Sequence, residues 1–334
     1  MLAPLTSADA LALLLPSARV LVASALADGG VQLAARLPWN DVHWPTLLSL
    51  ASFERAEAQL FRLLQRAPQG AVPDDALQAM QRACRVAVFR AAELADAAAA
   101  AVDALEARGV DALWLKGAAL AMQHPAGFSV RGMGDLDLLV DPAQLQAARA
   151  ALRGAGWSDG AAPETYASHH HDAPMHWRGG LRLELHSALF PPGHPFAPEP
   201  ASVWLGRARR VNWGVRTVRV LPENWHVVHA SIHWAWSHEG EIGSWQYLHD
   251  IQRLSSAWRP GGADWEAVLR HALLLGASRP VGWALWTAAR LTAIPIDDAT
   301  LERLRAGPER GRALTEREWI VRAFYSPASS PSVS

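Results

Sequence analysis

Asp135 and Asp137 stand two residues apart in GDLDLLV (134–140), a run that otherwise reads as buried strand. On a strand, residues two apart share a face, so both carboxylates project to one side while Leu136 and Leu138 project to the other. Carboxylates this close repel, and a divalent cation between them is the usual resolution. Hard oxygen ligands suit magnesium, with manganese as a substitute, and magnesium completes its octahedron with water and substrate phosphates. A third acid, Glu184, is set between Leu183 and Leu185 in LRLELHSAL (181–189), with His186 two residues on and facing the same way. If the two segments lie side by side, Glu184 joins the aspartates as a third metal ligand. Its plain alternative is an ion pair with Arg182 or Arg178.

Upstream, LWLKGAALA (113–121) places Lys116 and Gly117 at a strand-to-helix turn. Backbone N–H groups at such a turn can hold phosphate oxygens. Lys116 is the one lysine among 31 basic residues. A compact ammonium kept where arginine serves everywhere else points to a site that needs a point charge. Arg131, four residues before Asp135, is placed to clamp a phosphate group.

The elements that must position these residues follow from periodicity and punctuation. Residues 41–66 and 74–108 carry apolar residues at helical spacing, the second stretch ending at Gly109. Four short apolar or alternating runs then read as strands: 110–116, 135–140, 181–189 and 215–221. PAQLQAARAALRGAG (142–156) reads as a helix between two of them, and from Pro222 the pattern is helical again. The expectation is an α+β protein with a small mixed β-sheet core. Its segments are an N-terminal helical region (1–108), the α/β core (109–222), a C-terminal helical region (223–325) and a disordered tail (326–334).

In this order, a Lys-Gly turn, an Arg just before Asp-x-Asp, and Glu-Leu-His resemble an uncharacterised bacterial nucleotidyltransferase family. That family lies within the superfamily that includes DNA polymerase beta. WPTLLSLASFERAEAQLFRLL and WQYLHDIQRL resemble its flanking helices, so the likeness covers about residues 40 to 255. The wider superfamily has Gly-Ser or Gly-Gly at the turn, where this chain has Gly117-Ala118. The resemblance implies an enzyme that moves a nucleotidyl group from an NTP such as ATP to a hydroxyl acceptor, by in-line attack at the α-phosphate. It further implies that Asp135, Asp137 and Glu184 are catalytic and hold Mg2+ or Mn2+. Lys116, Gly117 and Arg131 would hold the nucleotide's phosphates, and His186 would contact the acceptor. The acceptor is a small molecule, sugar, peptide or protein hydroxyl. Two other functions share these residues: an inactive nucleotide- or partner-binding protein, and a metal-dependent phosphohydrolase.

Composition narrows the setting. A formal charge of -1 argues against general nucleic-acid binding. A single cysteine, Cys84, cannot form an intrachain disulfide and fits a reducing compartment. The apolar N-terminal stretch has no basic residue before Arg19 and is interrupted by Pro16, so it reads neither as a secretory signal nor as a membrane span. The expected location is the cytoplasm. The run His169, His170, His171 alternates faces on an extended chain and cannot bind one ion as a set. It reads as a loop or strand beside the pocket. His229 and His233, four apart on a helix, read as a packing or substrate-lining pair.

Overall fold

The computed structural model describes residues 12, 14–26, 34–160, 166, 169–191, 193–196, 199–240, 242–292 and 294–306. The tail expected at 326–334 lies outside the described residues. In chain order the elements are helices α1 (Pro16–Ser24), α2 (Trp44–Phe53), α3 (Glu57–Leu64) and α4 (Asp74–Ala107), then strand β1 (Ala112–Trp114), helix α5 (Lys116–Met122), strand β2 (Asp135–Val140) and helix α6 (Leu145–Gly154). Strands β3 (Ser158–Asp159), β4 (Met175–Trp177) and β5 (Leu181–His186) follow, then helix α7 (Ala201–Arg207) and strands β6 (Arg209–Trp213) and β7 (Arg216–Val220). Helices α8 (Glu223–Ile232), α9 (Ser244–Ser255), α10 (Ala263–Leu274), α11 (Ser278–Thr292) and α12 (Asp298–Arg305) close the described chain. The fold is α+β, with a central mixed sheet between helical regions in sequence. Among the described residues no helix is long and apolar enough to cross a membrane.

Two compact units emerge, one within residues 1–87 and 223–334 and the other spanning 88–222; α4 runs from the first into the second. The second unit carries a seven-stranded sheet in the order β3-β4-β5-β2-β1-β7-β6. Central strand β2 pairs parallel with β5 and antiparallel with β1. Strands β3, β4 and β6 extend the sheet on both sides of the four strands that the sequence pattern reveals. They are short or largely polar, so their alternation is weak.

Leu136 and Leu138 of β2, with Leu183 and Leu185 of β5, point to one face and are fully buried. There they join Leu94, Ala98 and Ala101 of α4 and Leu152 of α6 in one core. Burying each leucine contributes about 1.5–3 kcal/mol. This layer pins the register, because a one-residue slip of β2 would drive both aspartates into the leucine layer.

A buried arginine fastens the segment before β4. Arg149 of α6 donates to Asp172 and to the Ala173 carbonyl, each at 2.9 Å, and also pairs with Asp159. The Asp172 N–H donates to the Leu185 carbonyl and the Ser187 N–H to the His170 carbonyl, each at 2.9 Å. His171 thereby forms an antiparallel bridge with His186.

In the first unit, Trp245 and Trp265 are buried and donate their indole N–H groups to Ser24 Oγ (2.9 Å) and the Pro295 carbonyl (2.7 Å). The helical stretch expected at 41–66 is two helices, α2 and α3. Arg55 breaks it with φ of +54°, and the Ala56 N–H returns to the Ala51 carbonyl at 2.8 Å, a left-handed helix ending. Apolar spacing continues across such a cap, which is why periodicity alone misses the break. His229 is buried, His233 opens a π-helical turn (His233–Ser237), and their ring centroids lie 6.2 Å apart.

Candidate active site

The parallel pairing of β2 with β5 sets Asp135 opposite Arg182, Asp137 opposite Glu184 and Leu139 opposite His186. Alternation then presents Asp135, Asp137, Glu184 and His186 on one face, away from the leucine layer. Strand β1 completes the arrangement. It runs antiparallel to β2 as far as the Trp114–Leu138 pair, and the Leu115 N–H donates to the Asp137 carbonyl at 3.0 Å. The chain therefore leaves β1 beside Asp137, and the next side chain is Lys116.

Asp137 is the centre of the site. The residue is 3% exposed, and its Oδ1 accepts from Lys116 Nζ and from His186 Nε2, each at 2.8 Å. Burial alone would push this carboxyl's pKa up, but the Lys116 ammonium and the His186 hydrogen bond outweigh it and hold the group well below the usual range. Lys116 mirrors this: burial disfavours its charge, yet Asp137, with Asp135 and Glu184 behind it, raises its pKa. Asp135 goes the other way. Burial first, then the neighbouring Asp137 charge, raise its carboxyl's pKa, against the pull of Lys116 and Arg182. Arg182, which the sequence offered as a partner for Glu184, instead reaches Asp135 at 3.4 Å.

Lys116 has φ of +47°, a left-handed conformation that a residue with a β-carbon adopts at a cost of about 1–3 kcal/mol. It opens α5, and Gly117 follows, buried. An added Cβ at Gly117 would lie 2.5 Å from Arg131 Nη2 and 2.7 Å from Met133 Sδ. Arg131 is itself buried, and its Nη1 donates to the Gly132 carbonyl at 3.0 Å. Gly117 is thus the seat of the Arg131 guanidinium.

Asp137, Glu184 and His186 each offer one ligand atom, and these atoms all lie within 4.8 Å of one another. Two carboxylate oxygens and an imidazole nitrogen fit a divalent cation. Asp135 is not in this group of three, although it shares the face. Among the described residues, His229 and His233 form no such group.

The triple histidine lies against this site. The rings of His170 and His171 sit 4.9 and 5.4 Å from that of His186, and His169 and Tyr166 continue the row. Burial, reinforced by His186 and His171, drives the His170 pKa down to about 3, which keeps its ring neutral. The run of three histidines was the signal for this wall, but its contact with His186 depends on pairing across the chain.

With this geometry, the family comparison has a structural counterpart. The model of a family described as an uncharacterised nucleotidyltransferase matches residues 40–293, most of the chain. The chain belongs to this family. It is an enzyme of the phosphorus-transferring kind, and its fold is consistent with the DNA polymerase beta-like superfamily. No curated protein and no solved structure matches it. As a nucleotidyltransferase, it keeps its one lysine on the most buried acid of the candidate metal group.

Lys116→Arg is a sharp test of that placement. Positive charge is kept, but a planar guanidinium is too wide for a position that touches Asp137 at 2.8 Å next to a filled Gly117. Turnover is expected to fall about tenfold or more, about 1.4 kcal/mol in the barrier. Steady-state rates with a thermal melt of both proteins check it, and equal rates would take Lys116 off the site.

Proposed function

We propose that this nucleotidyltransferase moves a nucleotidyl group from an NTP to the hydroxyl of an acceptor, by in-line attack at the α-phosphate. The observation that carries the proposal is the Asp137–Glu184 register pair, which joins two acids from strands far apart in sequence and surrounds them with Lys116 and His186. Asp135, Asp137 and Glu184 are the residues that would hold one or two divalent ions, magnesium or manganese. Such an ion, when bound, stabilises the charge on the attacking and leaving oxygens. Lys116 and Arg131, packed on Gly117, orient the pyrophosphate portion of the nucleotide. The acceptor's hydroxyl oxygen bonds to the α-phosphorus as the bond from that phosphorus to the bridging oxygen breaks, releasing pyrophosphate; Glu184 serves either as third ligand or as the group that takes the hydroxyl proton. The acceptor is a small molecule, sugar, peptide or protein. The lone Cys84, half-buried, supports a reducing, cytoplasmic setting.

Incubation of the protein with each NTP, a divalent ion and a panel of hydroxyl compounds, with products resolved by mass, tests the proposal. The expected result is an acceptor heavier by one nucleotidyl group, with pyrophosphate released in equal amount. Nucleoside diphosphate plus inorganic phosphate, with the acceptor unchanged, would establish a phosphohydrolase instead. Nucleotide binding without any product would establish a binding protein.

A further inference from the structure

We infer that His186 selects the metal ion: its imidazole nitrogen is a ligand alongside Asp137 and Glu184, and it biases the site toward manganese over magnesium. The inference rests on the metal-dependent reading above and adds a ligand and an ion preference to it.

Two observations carry it. First, His186 Nε2 lies 2.8 Å from Asp137 Oδ1 and 3.9 Å from Glu184 Oε2. Around one octahedral ion with bonds of about 2.1 Å, adjacent ligands are roughly 3 Å apart and opposite ligands roughly 4.2 Å apart, so the shorter spacing is near that of adjacent ligands and the longer near that of opposite ones. Second, His186 is 2% exposed and fixed from both sides, by the β2–β5 ladder and by the bridge to His171. Its ring is packed by His170 and His171, so Nε2 stays directed at the two carboxylates.

The consequence for ion choice is chemical. Magnesium takes oxygen ligands in a near-ideal octahedron and gains little from imidazole. Manganese and the later first-row ions accept nitrogen beside carboxylate oxygen. The competing role for His186 is to orient Asp137 through the hydrogen bond alone. His186→Gln separates the two, because a glutamine amide can still donate to Asp137 but offers a metal only oxygen.

The experiment titrates the full chain with Mn2+ in the absence of nucleotide, following loss of the free-ion EPR signal, then displaces it with Mg2+. Pulsed EPR on bound Mn2+ reads whether an imidazole nitrogen is coordinated. The wild type is expected to bind Mn2+ about tenfold or more tighter than Mg2+ and to show imidazole 14N modulation. His186→Gln is expected to lose that modulation and about tenfold of the Mn2+:Mg2+ preference. Modulation from oxygen ligands and water only, no Mn2+ binding by the wild type, or an unchanged preference in the variant would each overturn the inference. The wild-type spectrum needs no variant, so a poorly folded His186→Gln leaves the test decisive. Failure of the transfer reading appears separately, as absence of nucleotidylated product from a protein whose bound Mn2+ still reports imidazole.

Discussion

Asp137→Asn is expected to abolish transfer and to lower the melting temperature, and both losses trace to one oxygen. Asp137 Oδ1 takes hydrogen bonds from Lys116 and His186, and the carboxylate also belongs to the three-residue metal group. Without its charge, the candidate ion loses its most buried anionic ligand. A loss of turnover on the order of a thousandfold or more, roughly 4 kcal/mol in the barrier, is expected. Stability falls for a different reason, since asparagine leaves the Lys116 ammonium without its nearest counter-charge. Removing one partner of a buried pair costs about 3–5 kcal/mol. Lys116 retains 26% exposure of its side chain, so water screens part of that cost, and about 1–3 kcal/mol is the expected loss. The double variant Asp137→Asn, Lys116→Met removes both charges and should regain most of the stability while remaining inactive. Rates by mass and melts by circular dichroism on the three proteins check this. Turnover of the single variant within tenfold of wild type would remove Asp137 from the metal site.

Gly117→Ala should be a damaging single-methyl change in the sheet unit. The new Cβ would meet the Arg131 guanidinium at 2.5–2.7 Å and Met133 Sδ at 2.7 Å, and both neighbours are buried, so neither can move freely into solvent. Overpacking of this kind costs about 1–3 kcal/mol. Displacing Arg131 also disturbs the proposed phosphate contacts, and at least about a tenfold loss in turnover is expected. Gly154→Ala is the control. It ends α6, an added Cβ there meets nothing within 4 Å, and its φ is not in the left-handed range. That change should alter stability by less than about 1 kcal/mol and leave turnover unchanged. If the two alanine variants melt and turn over alike, Gly117 is not the seat of Arg131.

Much of the site was legible because strand alternation is a local property. The spacing of Asp135 and Asp137 among Leu136 and Leu138, and of Glu184 and His186 among Leu183 and Leu185, forces acids and leucines to opposite faces wherever the strands lie. The lone lysine was visible as a composition anomaly, and the Gly109 stop marked the end of α4. Other features were hidden because they depend on distant partners. Nothing local says that Arg182 serves Asp135, that Gly117 is a seat for Arg131, or that His170 packs on His186. The break at Arg55 was hidden too, since the apolar spacing that signals a helix runs on across a left-handed cap.

The amino-acid sequence by itself determined the fold class and the face each candidate residue occupies, because backbone geometry converts spacing into direction without reference to the rest of the molecule. Only the tertiary structure decided which residues meet. Asp137 stands beside Glu184 because β2 and β5, more than forty residues apart, pair in parallel in the one register that buries Leu136, Leu138, Leu183 and Leu185 together. Lys116 reaches Asp137 because β1 returns antiparallel on the other side of β2 and ends one residue short of it. The same global packing gathers helices from both ends of the chain into one compact unit. Pairings of this kind are chosen by the total surface that the whole arrangement buries, a quantity no local stretch of residues contains.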